Sequence, residues 1–229
     1  MKITLIKILI LFLALTSFAE EKNNMNVENP LNIILIFTDD QGYQDLGCYG
    51  SKEIKTPNID HLASEGMKFS DFYVVSPVCT PSRVGLLTGK YPKRLGLAKG
   101  VLFPNSKDKG LSPKENTIAK FLKNKDYATA CIGKWHLGHR LKYLPTSNGF
   151  DYYYGVPYSN DMWIAPELKL DKNILLRDGV SKSDLEIMRQ VGGLNTWAEA
   201  RKYNNRVPLM ENESVIEFPA DQATLSKRY

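Results

Sequence analysis

At 229 residues, with 43% of them hydrophobic, the chain is long enough for one domain with a proper core. Its 30 lysines and arginines against 25 acidic residues give a net charge of +5; they are scattered rather than clustered, which excludes a nucleic-acid-binding stripe and leaves anionic substrates open. Three cysteines, Cys48, Cys79 and Cys131, have neither the number nor the spacing of a disulfide framework or a zinc site.

The chain opens Met1-Lys2, carries Lys7, then runs apolar from Ile8 to Leu15 before Ser17-Phe18-Ala19. That pattern predicts a secretory signal peptide over residues 1–19, since the run is too short for a membrane span. Residues 20–30 are polar and asparagine-rich, a flexible leader. Export follows, to a periplasm or the outside of the cell, or to a lysosome in a eukaryote, with no stable membrane span after cleavage.

Residues 31–37, Leu-Asn-Ile-Ile-Leu-Ile-Phe, form a near-continuous apolar run that predicts a strand buried on both faces of a parallel sheet. It ends in Thr38-Asp39-Asp40-Gln41-Gly42. A short helix is expected over 58–65, and a second strand over 67–75. The spacing of Ile118, Phe121 and Leu122 suits one face of a helix over 117–124. Residues 127–132 read as another buried strand, followed by Gly133-Lys134-Trp135-His136-Leu137-Gly138. Residues 149–155 read as a strand or edge segment, 160–215 as a long excursion without clear period, and 221–229 as the opening turns of a helix. Helices alternating with buried strands predict an α/β fold with a mostly parallel central sheet flanked by helices. In such sheets ligands bind beyond the carboxyl ends of the strands, so Asp39 and Asp40, Cys79, and Lys134 with His136 are expected on one rim.

Between these elements lies Val78-Cys79-Thr80-Pro81-Ser82-Arg83, running on to Leu87-Thr88-Gly89. Pro81 suits the first turn of a helix, Thr80 is a good N-cap and Gly89 a stop. Cys79 is therefore expected just ahead of a short helix, at the positive end of its dipole. Arg83 adds a fixed charge one turn in, a setting that favours an anion or a reactive thiolate. Taken alone, the same residues fit a buried structural cysteine beside a loop proline. Asp39 and Asp40 are hard-oxygen donors of the kind Ca²⁺ or Mg²⁺ takes, or two solvated carboxylates in a turn. Lys134, His136, His139 and His61 read on their own as ordinary loop residues.

Cys79-x-Pro81-x-Arg83 with Leu87-Thr88-Gly89 resembles the signature of the formylglycine-dependent sulfatases. Residues 38–50 resemble that family's first metal motif, with Gln44 where a small residue is usual, and residues 133–138 match a third motif. Gly149-Phe150-Asp151 and Tyr158-Ser159-Asn160-Asp161 resemble the arylsulfatase A-like branch of the alkaline phosphatase superfamily. The resemblance implies that Cys79 is converted to formylglycine by a formylglycine-generating enzyme. One hydroxyl of its hydrate would attack the sulfur of a sulfate ester, and the other would then release sulfate. Cys79, Arg83, Lys134 and His136 would be catalytic; Asp39, Asp40 and residue 79 would meet a metal, Ca²⁺ or else Mg²⁺. The implied substrate is a sulfated small molecule or glycan. A phosphate or phosphonate monoester hydrolase, or a non-catalytic remnant, are the other readings. The family pattern continues with a second histidine, an Asp-Asn pair and a second lysine that have no counterpart here, so residues 31–229 are expected to be the N-terminal part of a longer catalytic domain.

Overall fold

Five strands make the sheet: β1 (Ala130–Ile132), β2 (Tyr152–Gly155), β3 (Lys169–Leu176), β4 (Leu209–Glu211) and β5 (Ser214–Phe218), in the order β1-β2-β4-β5-β3. β1 runs parallel to β2 and β3 parallel to β5, while β4 is antiparallel to both of its neighbours. Four strands therefore point one way, and the sheet is the mostly parallel α/β sheet expected, with one strand reversed. These strands belong to a computed structural model that describes residues 30–106, 108–194 and 197–229. The expected signal peptide and all but Pro30 of the expected leader lie outside the described residues. The chain divides into two compact units, residues 1–55 and 56–229.

Among the described residues of the second unit six helices accompany the sheet: α1 (Pro57–Glu65), α2 (Cys79–Thr88), α3 (Ile118–Lys123), α4 (Lys182–Gly192), α5 (Trp197–Ala200) and α6 (Leu225–Arg228). Thr117 caps α3, its hydroxyl accepting from Lys120 N. Ser181 and Asp184 form a capping box on α4, which buries Leu185 and Met188. The core gathers Val84, Leu111, Trp135, Leu137, Tyr153, Ile164, Leu209, Met210, Val215 and Phe218, all essentially inaccessible. Glu217, 3% exposed, is held by Arg228 at 2.9 Å and Arg177 at 2.9 Å, which fastens α6 to β5.

The helix at 118–123 and the helical turns after 221 stand where the sequence puts them; β1 falls within the strand expected over 127–132 but lies at the edge of the sheet rather than buried, with Ile132 46% exposed. Three further expectations do not hold. Residues 31–37 are extended but pair with no strand among the described residues, and Leu31, Ile34 and Ile36 are more than three-quarters exposed. Residues 67–75 likewise form no strand, with Phe72 and Tyr73 exposed. An apolar run has a propensity for strand, yet the strand exists only when a second backbone completes its ladder. Conversely, residues 160–215 hold the eight-residue β3, the eleven-residue α4, β4 and the start of β5, which forms a hairpin with β4. Of the two readings of 149–155, the strand is the one that holds: β2 lies inside the sheet, because β4 returns to cover it.

The first unit carries two short 3₁₀ turns, Tyr43–Asp45 and Gly47–Tyr49. The Asp45 carboxylate accepts from Gly42 N at 2.7 Å, and the Tyr43 and Tyr49 rings meet edge to face. Asp39 and Asp40 precede these turns, both exposed, with Asp40 at φ +53°.

Candidate functional site

Cys79 is the first residue of α2, and its N-cap is Val78. Thr80 lies inside the helix rather than capping it. Its hydroxyl donates to His136 O at 2.9 Å and accepts from Leu102 N at 3.2 Å, so a tertiary contact outcompetes the local cap. Gly89 ends the helix as expected, at φ +64°, a left-handed conformation that glycine adopts without cost. Cys79 thus sits on the N-terminal turn of a ten-residue helix, where unpaired N–H groups concentrate positive potential.

The loop after β1 faces this turn because the sheet does not stop at Ile132. Gly133 N donates to Tyr154 O, Trp135 N to Val156 O and His136 N to Pro157 O, so residues 133–136 extend the parallel pairing beyond β1 and β2. Gly155 lies against this extension so closely that a Cβ there would meet Gly133 O at 1.9 Å. Trp135 pins the loop from below, donating to Tyr143 O at 2.9 Å and meeting Phe150 edge to face.

On this frame Lys134 Nζ lies 3.3 Å from Cys79 Sγ and 3.3 Å from Ser159 Oγ. Arg83, one turn along α2, donates through Nη1 to Lys134 O at 2.6 Å. Its guanidinium therefore fixes the backbone that carries Lys134 as well as adding positive charge. His136 is buried, at φ +57°, and its Nε2 meets Leu102 O at 2.9 Å. A carbonyl can only accept, so that nitrogen carries the proton and exchange with a reactant would run through Nδ1.

Cys79, Arg83 and Lys134 are thus joined by direct contacts within the second unit, and His136 is tied to the same helix through its carbonyl, which accepts from the Thr80 hydroxyl. Ser159 is a member that the sequence reading passed over, although the segment Tyr158–Asp161 had been noticed; nothing in its spacing says that it reaches a lysine 25 residues away. His139 is a support: it is buried, its Nε2 lies 3.3 Å from Glu167 Oε2, and burial keeps the imidazole below its ordinary titration range despite that carboxylate. Cys131 and Cys48 are both half-buried and unbridged, in line with a cysteine pattern that does not spell a disulfide framework. Burial of the Cys131 thiol pushes it up to about 12, with Arg83 working the other way.

Asp39 and Asp40 belong to the first unit. Their donor type suits a hard divalent cation, but no group of three or more histidine, cysteine or acidic side chains able to hold a metal exists among the described residues. Ca²⁺ takes about six to eight oxygen ligands, so two carboxylates do not make a complete site. No helix among the described residues is long and apolar enough to cross a membrane.

The model of the family described as Sulfatase matches residues 31–205. Human arylsulfatase A is 50% identical over 137 residues, covering 59% of this chain and 27% of that protein. Mouse arylsulfatase G is 39% identical over 203 residues, covering 86% of this chain and 36% of that one. Among solved structures, Ps i-CgsB in complex with k-i-k-neocarrahexaose superposes with a TM-score of 0.57 at 34% identity, over 78% of this chain and 35% of its own. The chain spans about a third of the length of such relatives.

Proposed function

The chain belongs to the sulfatase family, and from that premise we propose that it serves the hydrolysis of sulfate esters through a formylglycine made from Cys79. The observation that carries the reading is the convergence of Lys134 Nζ on both Cys79 Sγ and Ser159 Oγ at the start of α2. A sulfate ester is an anion whose oxygens gain charge in the transition state. A helix N-terminus and two cations fixed before the substrate arrives stabilise that charge without reorganising.

The thiol stands here for the side chain that modification would produce. Once formed and hydrated, that group supplies two hydroxyls on one carbon, one to attack sulfur and one to allow release. Lys134 binds a sulfate oxygen and the oxygen of residue 79 together. Arg83 holds Lys134's backbone in place. His136, aimed by Leu102 O, exchanges a proton through Nδ1. Ser159 holds the lysine ammonium from its other side. Asp39 and Asp40 are two donors for a divalent cation, Ca²⁺ in this reading, and no step is assigned to an ion held by two carboxylates. The chain is exported, its first 19 residues serving as the signal, and it meets a formylglycine-generating enzyme on the way.

Co-expression with such an enzyme, followed by mass spectrometry of the tryptic peptide containing residue 79, should find the aldehyde. An unmodified thiol under those conditions counts against the reading. Faster turnover of 4-nitrophenyl phosphate than of 4-nitrophenyl sulfate would move the assignment to a phosphomonoester hydrolase.

A further inference from the structure

A solvent-open cavity of about 460 Å³ lies on the second unit, lined by Arg177, Asp178, Asn205, Ala220, Asp221 and Gln222. Five of those six side chains are polar, which is not the lining of a site for a flat aromatic group. Two of the polar groups are already committed. Arg177 is paired with Glu217, and Asp221 caps the turn after it, accepting from Ala223 N and Thr224 Oγ1. Asp178 and Asn205 are different. Both are exposed, both hold left-handed backbone at φ +54° and +63°, and neither side chain has a hydrogen-bond partner among the described residues.

Gln222 connects this cavity to the candidate site. Its Nε2 donates to Asn160 O at 2.9 Å and to Asn205 O at 3.0 Å, while its Oε1 accepts from Asn160 Nδ2. Asn160 directly follows Ser159, whose hydroxyl is held by Lys134 beside Cys79. The cavity is therefore linked to the reacting atom through one step along the chain and three hydrogen bonds, Gln222 to Asn160, Ser159 to Lys134 and Lys134 to Cys79.

We propose that this cavity receives the alcohol portion of the substrate and that this portion is a neutral, hydroxyl-rich ring, so that the chain prefers sulfated sugars to aryl sulfates. The inference rests on the sulfatase reading. A carboxylate and an amide that line the cavity uncommitted can each take a pair of neighbouring hydroxyls. Asp178 and Asp221 outnumber Arg177 among the lining groups and leave the cavity negative, which disfavours a second sulfate or a uronate.

The test uses the full chain with residue 79 converted, and compares the 6-sulfates of galactose, glucose and N-acetylglucosamine with 4-nitrophenyl sulfate. At least one sugar sulfate should have the higher kcat/KM, and its ratio to the aryl ester should fall tenfold or more in Asp178→Gly and in Asn205→Gly. Glycine accepts the left-handed backbone at both positions, so these variants remove the side chain without straining the fold. Saturation-transfer NMR with the same three sugar sulfates reads the cavity independently of turnover: ring protons should be saturated in the parent and lose the effect in the variants. No saturation of any of the three, or saturation unchanged in both variants, overturns the cavity's role. Failure to hydrolyse 4-nitrophenyl sulfate with saturation intact overturns the catalytic reading instead.

Discussion

Lys134 Nζ stands 3.3 Å from Cys79 Sγ although 55 residues separate them in the chain. The contact is imposed by the backbone: Arg83 grips Lys134 O from the same helix that Cys79 begins. Lys134→Met keeps the length of the side chain and removes the ammonium. In the converted protein, kcat on 4-nitrophenyl sulfate should fall by about 100-fold or more, the scale set by losing one preorganised charge-stabilising group. Thermal unfolding should move little, since a half-buried ammonium contributes modestly to stability.

Gly155→Ala tests the frame instead of the charge. A Cβ at 1.9 Å from Gly133 O cannot be accommodated by rotating a side chain, because the obstacle is backbone. The loop must shift, at a cost of about 1–3 kcal/mol or more by analogy with overpacking. Both Tm and turnover should drop, and a nearby surface change such as Lys142→Ala should move neither.

Acid stability should depend on Asp151. Lys123, Thr129 N and the Thr129 hydroxyl all bond its carboxylate, lowering it from 3.8 to about 2. The folded state holds the charge more strongly than the unfolded chain does, so the stabilisation is complete above pH 4 and is lost as pH falls toward 2. Tm measured from pH 5 down to 2 should decline less steeply in Asp151→Asn than in the parent. Parallel curves would remove Asp151 from the account.

At the alkaline end the sign reverses. Burial raises the Cys131 thiol from 9.0 to about 12, so between those values the folded chain keeps a proton that the unfolded chain gives up. Stability conferred by the protonated thiol is full below pH 9 and decreases as pH climbs toward 12. Cys131→Ser, which does not titrate there, should flatten urea midpoints measured from pH 8.5 to 10.5.

Much of the candidate site was legible because its residues cluster in short, chemically dense motifs: Cys79 and Arg83 one helical turn apart, Lys134 and His136 in one tight loop. What local pattern could not convey was who completes whom. The apolar character of residues 31–37 announces a strand, but no ladder partner for it exists among the described residues. Thr80 has the chemistry of a cap and spends its hydroxyl on His136 O. Ser159 carries no mark of function until the fold lays it beside Lys134. The elements within 160–215 were missed for the opposite reason. β3 carries Lys169, Asp171, Lys172 and Asn173 among its apolar residues, so neither a period of two nor a continuous apolar run stands out. Its identity comes from pairing with β5.

β4 takes its place between β2 and β5 more than fifty residues after β2 has been made. During synthesis, the outer backbone of Tyr154 and Gly155 waits without its mate until Met210 and Glu211 emerge from the ribosome. The nascent chain therefore carries an unshielded flank for several seconds at about 5–20 residues per second, an interval in which a holdase can bind it and in which a chain released too early would be prone to cluster with its copies.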